Sequence, residues 1–133
     1  MKMKSKKITA FLLICALMVC MVSYYAMPVS ARWSNTTDIS CDLTFSGRTA
    51  TCTGEIYALP GSTISGTLTL YKKNGSSWYY VTSWNKNSGA SLTIGEKYTV
   101  SSAGTYKVVM SGTVTRNSVV ENVSISSNEK SCN

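Results

Sequence analysis

The chain has 133 residues, 44% of them hydrophobic and 14% charged, with a formal charge of +7 and no histidine. The missing histidine excludes Ser-His-Asp and Cys-His catalysis and histidine-based metal sites. Four of the 13 Lys+Arg fall in the first seven residues, so nine stand against six acidic residues downstream. The resulting +3, spread along the chain, gives mild attraction to anionic surfaces but makes no case for nucleic acid, which needs a clustered basic face.

Residues 1–31 read as a secretory signal peptide. Lys2, Lys4, Lys6 and Lys7 form a basic start, Ile8 to Val22 is an apolar run, and Val29-Ser30-Ala31 supplies small residues for cleavage before Arg32. The run is too short and wrongly flanked for a membrane span, so no stable membrane insertion is expected once it is removed. Ile14 and Val19, before Cys15 and Cys20, are too large for lipoprotein processing. The expectation is a freely secreted, extracellular protein in an oxidising compartment. The division that follows is 1–31 signal peptide, 32–37 N-terminal extension, 38–126 β-sandwich domain and 127–133 flexible C-terminal tail.

Ser, Thr, Val, Tyr and Gly dominate after Arg32, with Pro60 the one proline there, which favours strands and turns. Ile39, Cys41, Leu43 and Phe45 alternate with polar residues as a half-buried strand. Ser46-Gly47 reads as a two-residue turn. Pairing Phe45 with Arg48 sets Leu43 opposite Ala50 and Cys41 opposite Cys52, with Ala50, Cys52, Gly54 and Ile56 facing the core. Leu59-Pro60-Gly61-Ser62 has the signature of a type II turn. Ile64, Gly66, Leu68 and Leu70 face inward on a third strand. Asn74-Gly75 then turns the chain into a fourth strand from Ser77 to Trp84, with Tyr71 opposite Trp78 and Thr69 opposite Tyr80. Asn85 to Gly89 reads as a loop, and Ala90–Ile94 and Tyr98–Val100 as strands broken at Gly95. Tyr106, Val108 and Met110 face inward. Arg116-Asn117 turns the chain into a last strand with Val119, Val123 and Ile125 on its core side.

Seven to eight short strands separated by turns predict an all-β protein, an antiparallel β-sandwich. Ala103-Gly104-Thr105-Tyr106 resembles the approach to strand F in immunoglobulin-like domains, where a tyrosine bonds back across the corner. Val108 and Leu70 stand where antibody domains place a cysteine and a tryptophan, so the resemblance is to the looser immunoglobulin-like class.

Several segments carry a second likeness. They are Arg32-Trp33-Ser34-Asn35, Leu43-Thr44-Phe45-Ser46-Gly47, Gly66-Thr67-Leu68-Thr69-Leu70-Tyr71-Lys72-Lys73, Ser83-Trp84 and Gly104-Thr105-Tyr106-Lys107. Together they resemble small secreted proteins of Gram-positive bacteria catalogued as a domain of unknown function. That resemblance implies export and a bacterial source, and no catalytic residues.

Cys41, Cys52 and Cys132 remain after the leader. Facing positions favour a Cys41–Cys52 disulfide, with Cys132 free or available to dimerise the chain. A bridge from Cys132 to a hairpin cysteine ranks second. Asp38 and Glu55, neighbours in this register, read as solvated surface acids. No cofactor, metal or catalytic residue is expected, and the chain reads as no enzyme. The remaining constellation is aromatic. Tyr71, Trp78, Tyr80 and Trp84, with Thr69 beside them, form a candidate binding face for a glycan, a cell-wall polymer or a protein surface, with at least two of the four rings exposed. A non-catalytic binding module is the first expectation. A bacteriocin-like or toxin-like effector is the alternative.

Overall fold

A computed structural model describes residues 33–133. The expected signal peptide, its cleavage site and Arg32 lie outside the described residues. Eight strands occur: β1 (Thr36–Ser46), β2 (Thr49–Ala58), β3 (Thr63–Asn74), β4 (Ser77–Ser88), β5 (Ser91–Thr99), β6 (Gly104–Arg116), β7 (Val119–Ser126) and β8 (Lys130–Cys132). They form two antiparallel sheets, one ordered β1-β2-β5 and one β4-β3-β6-β7 with β8 also paired to β6.

Turn chemistry sets the register of three hairpins, each one residue later than the sequence suggests. Gly47 has φ +59° and Gly75 φ +62°. Both are the first central residue of their turns, because Ser46 pairs with Thr49 and Asn74 with Ser77. Glycine at that place suits a type II′ turn, whose twist matches the flanking strands. The third turn is Asn117-Ser118, both with positive φ, closed by Arg116 opposite Val119. The Leu59–Ser62 turn forms as expected: Gly61 has φ +86° and the Ser62 amide donates to the Leu59 carbonyl at 3.2 Å.

The two sheets enclose one core. Ile39, Leu43, Ala50, Cys52 and Ile56 of the first sheet meet Ile64, Leu68, Leu70, Val108, Met110 and Val114 of the second, with Leu92 and Ile94 from β5. The inward alternation expected for these strands holds, because each hairpin shift moves the pairing by two residues and preserves side-chain parity. Glycine lets the layers close: a Cβ on Gly54 would sit 2.6 Å from Met110 Sδ.

Other boundaries move. β4 runs on to Ser88 where a loop was expected, and β5 is continuous through Gly95. The residues expected as a loose tail over 127–133 include β8, which pairs with β6, and Cys132 is buried with its thiol 3.3 Å from the Gly47 carbonyl.

Tyr106 is the third residue of β6, 2% exposed, and its hydroxyl reaches back across the corner to donate to the Ser102 carbonyl at 2.7 Å. Phe45 packs against the Tyr106 ring with centroids 5.4 Å apart. The other buried polar anchor is Glu121, on the core side of β7. Its carboxylate accepts from the backbone amides of Ser34, Asn35 and Thr36 and from the hydroxyls of Ser34 and Thr36, at 2.8 to 3.2 Å. Burial opposes its ionisation, but these donors outweigh burial and bring its pKa down to about 2.

Candidate binding face

The outer face of the β4-β3-β6-β7 sheet carries Tyr71, Trp78, Tyr80 and Thr69 of the residues singled out from the sequence, but not Trp84. Opposite Tyr71 stands Tyr80, and opposite Lys73 stands Trp78. Between Leu70 and Tyr71 the ladder slips: Tyr71 faces Tyr80 while Leu70 faces Thr82, leaving Val81 as an extra residue in β4. One inserted residue reverses the side-chain alternation beyond it. Trp84 therefore falls opposite Leu68 and packs against the core, not on the outer face where it was expected. Thr69 keeps its face but is only 9% exposed, and its neighbour across the ladder is Ser83, not Tyr80.

Tyr71, Trp78 and Tyr80 are together at one end of this face. Tyr80 is 64% exposed, with its hydroxyl 3.0 Å from that of Ser83, while Tyr71 and Trp78 are half-buried. Two lysines bracket the indole of Trp78: Lys107 Nζ lies 4.4 Å from the ring centroid and Lys73 Nζ 5.7 Å. Such contacts draw ammonium groups onto an aromatic face. Lys73 also reaches Glu129 at 3.3 Å, across an exposed surface where the pair adds little stability. Lys107 forms no ion pair among the described residues.

Away from the aromatics the face is hydroxyl and amide. Thr67 donates to the Asn85 side chain at 2.6 Å. Ser111 pairs with Ser124 and Thr113 with Asn122. An open groove of about 580 Å³ runs over Thr63, Ser65, Asn87, Ser88, Thr113 and Thr115. Thr67, Thr69 and Lys73 were legible beside the aromatics, but Lys107, Ser111 and Thr113 went unnoticed in the sequence because they join that surface only when β6 lies beside β3. Their period-two spacing on β6, Lys107 to Thr115, was the available signal.

The cysteines do not form the expected bridge. The shifted hairpin sets Cys41 opposite Gly54 and Cys52 opposite Leu43, and Cys41, Cys52 and Cys132 are all free thiols. Burial pushes the Cys52 pKa up to about 11 and raises that of Cys41, so neither forms a reactive thiolate at neutral pH. The same shift separates Asp38, now opposite Tyr57, from Glu55, opposite Ser40. Among the described residues no group of three or more Cys, Asp or Glu side chains could hold a metal ion. The chain matches no family model and no curated protein.

Proposed function

We propose that this chain is an exported, non-catalytic binding module of the immunoglobulin-like sandwich class, recognising a saccharide surface through the outer face of β3 and β4. The observation that carries the reading is the grouping of Tyr71, Trp78 and Tyr80 on paired strands. Rings held by a sheet lose little freedom when a ligand lands, so modest stacking contacts yield useful affinity. The hydroxyl and amide side chains beside them supply the hydrogen bonds that a sugar needs. The immunoglobulin-like class draws support from the strand orders and from Tyr106. Lettered in chain order as A, B, C, C′, E, F and G, β1 to β7 group as A-B-E and C′-C-F-G, and the corner tyrosine opens strand F. The likeness to small secreted proteins of Gram-positive bacteria favours an extracellular setting.

Replacing Trp78 and Tyr80 together with Ser tests the site. The variant is expected to lose binding on a glycan array while melting within a few degrees of the parent. A folded variant that keeps every interaction of the parent rules out this face.

A further inference from the structure

Resting on the saccharide reading, we propose that the ligand is an acidic polysaccharide, a chain of pyranose rings bearing carboxylates. The first observation is where the charges lie once the chain is folded. The outer face of the β1-β2-β5 sheet carries Asp38, Asp42 and Glu55 against Lys97. The opposite outer face carries Lys73 and Lys107, and the acid that reaches it is Glu129, from the loop before β8. Glu121, the acid of β7, turns to the core side and is held by the Ser34–Thr36 amides. The aromatic residues thus stand on the outer face where two lysines meet one acid, while the other outer face holds three acids against one lysine.

The second observation is the position of the ammonium groups. Lys107 and Lys73 flank the Trp78 ring within 6 Å. Neutral sugars stacking on the aromatic group gain nothing from two ammonium groups held over the indole. A ring carrying a carboxylate would set its C–H face on the aromatics and its charge between the ammonium groups, replacing a weak cation–π contact by a charge-assisted hydrogen bond. A poly(glycerol phosphate) chain offers the charge but no ring to stack. Two lysines are also too few for a nucleic acid. The groove over Thr63, Ser65, Thr113 and Thr115 continues the same face, so a polymer can extend from the aromatic end over a surface of hydroxyl donors. Glu129 competes for Lys73 in the free protein.

The test uses polygalacturonate, its methyl ester and poly(glycerol phosphate) as probes in calorimetric titrations of the mature chain. The methyl ester keeps the rings and removes the charge. Polygalacturonate is expected to bind at least about tenfold more tightly than its ester, and to weaken as salt rises to about 0.5 M. Lys73→Gln with Lys107→Gln should weaken it about tenfold, and Glu129→Gln should strengthen it about twofold. The last effect runs opposite to any loss of folding. Equal binding of ester and acid overturns the acidic ligand. If that binding still disappears with Trp78→Ser and Tyr80→Ser, the saccharide face itself stands. Equal binding of poly(glycerol phosphate) and polygalacturonate overturns the requirement for a sugar ring. Failure of polygalacturonate to bind overturns the proposal. So does a dimer, seen in sedimentation, that the Trp78 and Tyr80 replacements dissociate, because a second copy then occupies the face.

Discussion

Glu121 and Tyr106 show how one polar atom can hold an otherwise apolar arrangement. The Glu121 pKa of about 2 lies below its ordinary 4.5, so its contribution to stability is complete above pH 4.5. It is lost progressively as pH falls toward 2. Melting temperatures measured over this interval should fall, and Glu121→Gln should flatten the fall. The amide keeps one acceptor but turns donors toward donors, and the variant should lose about 2 kcal/mol at neutral pH in denaturant titrations. At Tyr106 two terms separate. Tyr106→Phe removes only the bond to Ser102, about 1 kcal/mol. Tyr106→Ala also empties the space against Phe45 and should cost about 3–5 kcal/mol. Equal losses for the two substitutions would mean that the ring contributes nothing to the core.

At the scale of the strand, Val81 decides which tryptophan is available to a ligand. Before the bulge β4 presents Trp78 and Tyr80 outward, and after it Trp84 turns inward against Leu68. Trp84→Ala should therefore destabilise the protein by about 3 kcal/mol. Tyr80→Ser, at a ring that is 64% exposed, should stay within about 0.5 kcal/mol in the same denaturant series. The reverse pattern would place Trp84 on the surface. The alternation of Leu68, Leu70 and Tyr71 was legible in the sequence, and so was the placement of Tyr71, Trp78 and Tyr80 on one face. The bulge was not, because an inserted residue has no local signature in a segment as uniformly apolar and aromatic as Trp78 to Val81.

Across the whole molecule, small residues set how closely chains approach at the centre. A Cβ at Gly112 would lie 2.5 Å from the Ser65 carbonyl and 3.0 Å from Ile56 of the other sheet. The carbonyl is backbone in the neighbouring strand and cannot swing aside. Gly112→Ala should destabilise by about 2–3 kcal/mol, and an unchanged unfolding midpoint would refute this. The free thiols make a second global expectation. Cys52 and Cys132 are buried, so a thiol reagent should reach them only as the protein unfolds, and a chain expressed from Trp33 should then titrate three thiols when unfolded without reductant. Finding one thiol instead would mean that two had bridged.

Binary patterning by itself determined the all-β class and the inward faces of β1, β2, β3 and β6, turn chemistry determined the Leu59–Ser62 turn, and the resemblance to immunoglobulin-like domains implied the corner role of Tyr106. Each depends on neighbours within a few residues, and the period-two alternation survives small errors of register. Only the tertiary structure decided the pairing of the hairpins, since Gly47 and Gly75 fit either central position of a turn until the twist of the flanking strands selects one. It also decided the fate of the cysteines, which follows from that pairing, and the burial of Glu121, whose donors lie more than 80 residues earlier in the chain. The separation of positive and negative outer faces belongs to the same group. Charge distribution over a surface depends on which strands become neighbours, and no local pattern along the chain records that choice.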